Sequence, residues 1–440
     1  MPKILILYHY YHPDDVAGAQ QFTGMAEGLT QKGWEIETWP CNRSCHHSGM
    51  SYSLKPETVN GVLIRRVWRP DFNQHKFLGR ILNALWVEGA WKLRIWFGKA
   101  PDIVIIGTDP IFALLLAPLI RLRWPKTKIV HWCFDMYPEY PIADGMVREN
   151  SLLVKIIRFF MKKAYGACDL ISDLGPCMRE ALSRYPCKVL TTHTPWALEE
   201  PSEPLAIDPA ERKALFGEAK LGLLYSGNFG RPHSYALTLA LARKTRERPI
   251  AEPINEAVAG SGFPARHKHD TPSNLRVGGQ VSFAYSCRGS RLDELKEAVT
   301  PEDTNIRFVG FAPPERLAAR LSAPDIHLVS LGPEWNGIVV PSKFFGALAA
   351  GRPVLFEGDE RSSVAVWIKQ YKVGWVLTQD NLDKTAQELI AFSSDPAGKA
   401  EMLKHCHEVY QAHFSKKVVS DRWDLELNGL LKAENLDKTT

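Results

Sequence analysis

The chain has 440 residues, 45% hydrophobic and 23% charged, with 31 glycines and 30 prolines. This is a globular composition that excludes collagen-like, low-complexity and wholly disordered classes. Its length exceeds what a single core usually supports, so two domains are expected. The net charge of +5 is one-sided: residues 1–200 carry 24 Lys and Arg against 19 Asp and Glu, the remainder 30 against 30. A one-sided basic half of this kind could face anionic lipid, acidic substrate or nucleic acid.

The longest apolar run, 110–120, stops at Arg121, short of the about 18 residues a membrane span needs. The opening Met1-Pro2-Lys3 runs directly into a β-branched segment with no cleavable apolar stretch, so the chain is expected in the cytoplasm. Residues 3–8 read as a buried parallel strand and 17–28 as a helix that ends by Gly33. Further strands are expected at 34–39, 62–68, 102–107 and 128–134, separated by helix-length segments. Such alternation predicts a doubly wound α/β layer.

Pro195, Pro201, Pro204 and Pro209 mark a linker, after which the same grammar restarts. A strand at 221–225 leads into a glycine-rich loop and a helix from about Ser234. Strands at 281–286, 305–310, 325–331, 353–356 and 374–377 continue the series. The expected architecture is two Rossmann-like, doubly wound parallel-sheet domains, 1–200 and 201–413. An insert at 246–280 interrupts the second, too long for a routine connection and read as a lid or a disordered segment. A helix over 414–431 and a short tail close the chain.

Eight cysteines form no CxxC pair and no disulfide framework. Cys41, Cys45, His46 and His47 cluster, but adjacent ligands have poor geometry and no second pair follows, so a loop with free thiols is expected and no metal.

In doubly wound sheets, ligands sit beyond the carboxyl ends of the strands. The segment Tyr225-Ser-Gly-Asn-Phe-Gly-Arg-Pro-His-Ser234 places Gly227, Asn228 and Gly230 where backbone can approach a diphosphate, and Arg231 as a cation of bidentate geometry. The plain alternative is a tight turn with a surface arginine. A second segment runs from Gly332 through Val340-Pro-Ser-Lys343 into a small-residue helix. Ser342 is expected to cap that helix. Lys343 in its first turn is unfavourable without an anion, which reads it as a ligand lysine; a solvated lysine is the alternative.

Together these segments resemble the GT-B glycosyltransferases of family 4, in the branch that builds bacterial surface polysaccharides. YSGNFG and VVPSKFFGALAAGRPVL carry the likeness in the second half. HYYHPDDVAGAQQFTGMAEGLTQKGWEIE, PDIVIIGTDP and VHWCFDMYPE carry it in the first. The resemblance implies two domains facing a cleft, with the C-terminal helix, 414–440, returning onto the first domain. It implies a nucleotide diphospho-sugar donor, retention of anomeric configuration and no cofactor. The acceptor would be a glycan or a polyprenyl-diphosphate-linked sugar, which places the chain peripherally at the inner face of a membrane. Donor contacts would come from Gly18, Gly227, Asn228, Gly230, Arg231, Arg288, Glu334, Asn336, Ser342 and Lys343. Arg288 lies in a stretch resembling the family's nucleotide-lining loop. The family's two glutamates, eight positions apart, would fall at Ile338 and Gly346, so this chain lacks them; Glu334 is the nearby substitute.

Acceptor activation by the protein needs a carboxylate or imidazole in reach, and His131, Asp135 and Glu139 are the choices; the leaving diphosphate taking the proton itself is the alternative. Asp135 and Glu139 could instead hold a proline-containing turn. His327 reads as a packed core histidine. No Asp-x-Asp occurs, so neutralisation is expected from Arg231, Lys343 and helix dipoles without a metal. Two other readings stay open: a sugar-nucleotide 2-epimerase using His131, Asp135 and Glu139, and a non-catalytic nucleotide-sugar-binding subunit. Nucleic acid is not an expected partner, because no recognised module is present.

The basic surplus has its own candidate surface. Residues 151–165 set Lys155, Arg158 and Lys162 apart from Leu152, Leu153, Ile156 and Phe160, and 77–97 mix Trp86, Trp91 and Trp96 with Arg80, Lys92 and Arg94. Basic amphipathic helices of this kind suit an anionic leaflet; both could also be plain outer-layer helices.

Overall fold

The computed structural model describes residues 1–47, 49–74, 76–246 and 280–436. The expected insert lies, apart from its end residues 246 and 280, outside the described residues, as do the last four of the tail. Among the described residues there are two sheets. The first contains β1 (Lys3–Leu7), β2 (Glu35–Thr38), β3 (Glu57–Val59), β4 (Val62–Ile64), β5 (Ile103–Ile106), β6 (Lys128–Trp132), β7 (Leu170–Asp173) and β8 (Leu190–Thr192). Their spatial order is β3-β4-β2-β1-β5-β6-β7-β8, parallel except for the β3–β4 pair. The second sheet contains β9 (Leu221–Asn228), β10 (Val281–Arg288), β11 (Ile306–Phe308), β12 (Ile326–Ser330), β13 (Val354–Glu357) and β14 (Gly374–Leu377). It runs β11-β10-β9-β12-β13-β14 and is parallel throughout.

The apolar runs behave as parallel strands should. All of β5 is buried, and in β1 only Lys3 reaches solvent, because helices cover both faces. Three strands escape the sequence reading, β3 (Glu-Thr-Val), β7 (Leu-Ile-Ser-Asp) and β8 (Leu-Thr-Thr). Each is short and at least half polar, so none makes an apolar run. In the second half, β9 continues through Ser226, Gly227 and Asn228, residues read from sequence as loop. They pair in register with Ser286, Cys287 and Arg288 of β10, and the helix that follows begins at Ala236.

Each sheet reverses its winding once beside its first strand, between β1 and β5 and between β9 and β12. A crevice opens at such a switch point beyond the carboxyl ends of the strands. The two crevices face each other. The chain crosses between the sheets at Thr194–Asp208, where Gln21 holds the Trp196 backbone from both sides, Nε2 donating to its carbonyl at 2.9 Å and Oε1 accepting its N–H at 3.2 Å. The last helix, Lys416–Leu436, returns to the first sheet and lies against the helix Ala17–Thr30. Trp423 enters the first core with its ring stacked on His193 at 3.7 Å, and Trp34 Nε1 donates to Asp424 at 2.7 Å. Removing a buried tryptophan of this kind costs about 3–5 kcal/mol.

Candidate active site

Between the two switch points lies a cleft of about 340 Å³. Gly18, Phe134 and Asp135 line it from the first lobe, Ser226, Gly227, Phe311, Ser342 and Lys343 from the second, and Trp196 from the crossing. The second-lobe wall is built around Lys343. Gly227 sits at φ +117°, and a Cβ there would stand 3.0 Å from Lys343 Cε. Glycine at 227 thus makes room for the lysine stem as well as for a ligand. The half-buried ammonium lies 3.4 Å from His233 Nε2 and 5.1 Å from the centre of the Tyr225 ring. His233 Nδ1 faces the Ser330 carbonyl at 2.7 Å, which leaves Nε2 as an acceptor for Lys343. Burial and the lysine charge push the imidazole down to about 3, so the histidine is neutral. Burial also lowers Lys343 to about 8. Among the described residues no carboxylate pairs with this ammonium, although it begins the helix Lys343–Ala349 and sees the positive end of its dipole.

The other donor-side residues divide. Ser342 is exposed to the cleft and its side chain caps nothing, contrary to expectation, so its hydroxyl is available to a ligand. Gly18 faces the cleft from the first turn of its helix, where a Cβ would fall 1.9 Å from Tyr8 Oη. Tyr8 is buried and stacked on Phe22 at 4.2 Å, so it has no room to yield. Asn228 is exposed at the strand tip, and its carbonyl accepts from Tyr225 Oη at 3.1 Å. At Gly230 a Cβ would meet only ordinary contacts at 3.8 Å, so no close approach requires glycine there. Arg288 lies over Phe311 at 4.8 Å, at the cleft margin.

Arg231 does not line the cleft. Its exposed guanidinium crosses to the first lobe and bonds Asp144 through the carbonyl at 3.1 Å and the carboxylate at 3.2 Å. Glu334 is exposed in the turn Pro333–Trp335, outside the cleft lining. Asn336 belongs to the lobe contact beside Gly337, with its side-chain oxygen buried and unpartnered. Here Trp335 meets Tyr140 edge-on at 5.0 Å, and Cys177 Sγ lies 2.9 Å from Ser363 Oγ.

On the acceptor side only Asp135 reaches the cleft. It follows β6, and Thr108 Oγ1 accepts from the Phe134 N–H at 2.8 Å and the Asp135 N–H at 3.4 Å. Burial, with the Asp109 carboxylate adding to it, raises the Asp135 carboxyl to about 7. His131 is a correction: it lies inside β6 with Nδ1 2.9 Å from the Ile106 carbonyl, and burial pushes it down to about 4. Its ring packs in the sheet rather than in the cleft. Glu139 also turns away, accepting from Tyr185 Oη at 2.7 Å and paired with Arg158 at 3.4 Å. His327 is a core histidine, Nε2 against the Leu321 carbonyl at 3.0 Å.

Sequence reasoning assigned nothing to three groups that the fold sets beside the switch points, behind the cleft lining: His233, and the pair His9 and Asp109. His233 follows two glycines in the motif already singled out, a signal available in the sequence. His9 and Asp109 are a hundred residues apart, and no local pattern joins them. The Cys41–His47 cluster forms no group able to hold a metal among the described residues.

No protein-family model matches this chain. It is 23% identical over 317 residues, 70% of each chain, to a probable glycosyltransferase, WbjE, of Pseudomonas aeruginosa. Sucrose-phosphate synthase of Thermosynechococcus elongatus superposes with a TM-score of 0.66 at 14% identity, over 98% of this chain and all of that one. The Anabaena protein HepE, in complex with UDP, gives 0.61 at 10% identity over 97% of this chain and all of its own. WaaG, a glycosyltransferase involved in lipopolysaccharide biosynthesis, gives 0.58 at 13% identity, again over 97% and 100%. Two parallel-sheet lobes facing a cleft are the GT-B fold, and this chain has it.

Proposed function

We propose that this chain, a GT-B glycosyltransferase in fold and in its likeness to WbjE, moves a sugar from a nucleotide diphospho-sugar to a glycan or lipid-linked acceptor in surface-polysaccharide synthesis. The observation that carries this reading is Lys343: a half-buried cation at a helix start, facing a glycine-bearing strand end, with no carboxylate paired to it among the described residues. Desolvating an ammonium without an anion is costly, and a diphosphate supplies the anion. Binding of UDP by the structural neighbour HepE supports the donor class.

In the mechanism that follows, the bond from the sugar's anomeric carbon to the diphosphate oxygen breaks. Lys343, the Ser342 hydroxyl and backbone amides take up the developing negative charge. The acceptor oxygen attacks the same face of the sugar, giving retention, and its proton passes to the Asp135 carboxylate. The cation in the wall serves where a divalent ion otherwise would. Arg231 closes the cleft margin through Asp144. The test is Lys343→Ala: purified and folded, it is expected to lose nucleoside-diphosphate binding by calorimetry and transfer by orders of magnitude. Full binding and turnover in this variant would defeat the assignment.

The outer face of the first lobe supports a membrane-surface acceptor. No helix among the described residues is long and apolar enough to cross a membrane. Yet Phe97 is 81% exposed, Leu122 and Leu152 are each 73%, and Phe159 and Phe160 are more than half exposed, on three helices packed side by side in series. Lys92, Lys155 and Lys162 are exposed on the same helices, a combination that suits an anionic interface. Trp91 is excluded from that surface, since it is buried and donates to the Trp39 carbonyl at 2.7 Å. Flotation with phosphatidylglycerol vesicles should recover the wild-type chain and lose Phe97→Glu/Phe159→Glu; equal recovery of the two would rule out this surface.

A further inference from the structure

The carboxyl edge of the first sheet carries a row of polar groups that the proposed reaction leaves unassigned. Strands β1, β5 and β6 are neighbours, and the loops after them present His9, Asp109 and Asp135 in that order. The loops are cross-tied. The His9 N–H donates to the Asp109 carbonyl at 2.9 Å, and the Cys41 N–H donates to the His9 carbonyl at 2.8 Å. Thr108, one residue before Asp109, accepts from the backbone of Phe134 and Asp135. His9 Nδ1 stands 3.3 Å from Asp109 Oδ1, with the imidazole 4% exposed. Asp135 reaches the cleft, while His9 does not line it.

We propose that His9 and Asp109 are positioning residues for Asp135: an ion pair between a buried imidazole and a partly exposed carboxylate across the switch point of the first sheet, whose charge balance sets how readily Asp135 accepts the acceptor's proton. This rests on the assignment of Asp135 to acceptor activation. A carboxylate beside a second carboxyl group disfavours its ionisation, and a cation beside the first relieves that repulsion. Burial opposes charge on His9, but Asp109 and Cys41 outweigh it and raise the imidazole to about 9, so it is a cation at neutral pH. The groups facing His9 are Asp109, Cys41 on the loop after β2, Glu88 on the helix Phe77–Phe97 and the stacked Tyr10. Those facing Asp135 are Asp109, the Cys133 thiol and the phenols of Tyr8, Tyr137 and Tyr140. His9 brings positive charge directly against Asp109, while Arg69 faces Tyr10, Lys92 faces Glu88 and Arg80 faces Tyr137 and Tyr140. The pair thus keeps Asp109 from pushing Asp135 out of the range useful for general-base work.

The experiment is a carbon-13 carboxyl titration of the aspartate-labelled full chain, with Asp135 identified by its loss in Asp135→Asn. Wild type should titrate near 7. Asp109→Asn should lower Asp135 by about one unit, tenfold in proton affinity, and His9→Gln should raise it by about half a unit. The same Asp135 midpoint in all three chains would overturn the proposal. If a variant does not fold, the His9 ring in the wild-type chain decides: a cation through pH 8 supports the pair, and titration below 7 refutes it. The titration needs no donor, so it separates from the transfer assay. Midpoints that move as stated while the acid limb of transfer stays fixed would remove Asp135 as proton acceptor and leave the ion pair's effect standing.

Discussion

Each lobe places a histidine at its switch point, and the two are in opposite states. His9, after β1, faces the Asp109 carboxylate and is held charged. His233, after β9, faces the Ser330 carbonyl and the Lys343 ammonium and is held neutral. The sheets around them are wound alike, so strand order does not account for the difference. The partners on the neighbouring elements do, a carboxylate in one lobe and a peptide oxygen with an ammonium in the other. The same topology thus yields a carboxyl-rich edge suited to accepting a proton and, opposite it, a cationic wall suited to a diphosphate.

The sharpest way to break this contrast is Lys343→Ala. It removes the cation from the second wall and should cut turnover about 10³-fold, with loss of nucleotide-induced thermal stabilisation. Asp135→Asn comes next, with a loss of about 10²-fold in transfer. Its stability should change in the opposite sense. A carboxyl raised to about 7 in the folded chain binds more protons there than when unfolded, so wild type loses stability as pH rises from about 4 to 7. The neutral amide of the Asp135→Asn variant would escape that loss, and the variant should melt higher at pH 8, by about 1–3 kcal/mol in stability. An unchanged melting point would mean that the carboxyl is not desolvated.

The pH profile tests both walls at once. Asp135 must be ionised, so kcat/KM should rise with pH through about 7; Lys343 must be charged, so it should fall through about 8. The result is a narrow bell. A bound diphosphate favours the ammonium, so the alkaline limb of kcat should lie higher than that of kcat/KM. A flat profile from 6 to 9 would contradict both assignments. Gly18→Ala should cost about 1–3 kcal/mol in unfolding experiments, because its Cβ falls on the immobile Tyr8 phenol. Arg231→Ala should have the smallest effect, a severalfold loss of turnover: its guanidinium is 63% exposed and bridges to Asp144 outside the cleft lining. A loss matching that of Lys343→Ala would show that Arg231 leaves Asp144 for the donor.

Much of the scaffold was legible because parallel strands buried on both faces must be apolar runs, as in β1, β5 and β9. The place of Lys343 at the cleft was signalled for a related reason: a cation in the first turn of a small-residue helix is a local electrostatic misfit. His131 misled because a sequence does not say which way a strand residue points. Four residues further on, Asp135 has left β6 and is free to face the cleft. Arg231 was found by type and loop, but its direction was set by Asp144, which lies 87 positions earlier.

Local patterning by itself determined the alternation of strands and helices in both halves, the crossing between them and the place of Lys343 at a helix start, since each rests on neighbours within a few residues. Which carboxyl group enters the cleft, which histidine carries charge and where the arginine turns were decided only when distant loops met. Protonation and pairing depend on desolvation and on charges a few ångströms away, and those distances exist only in the folded chain.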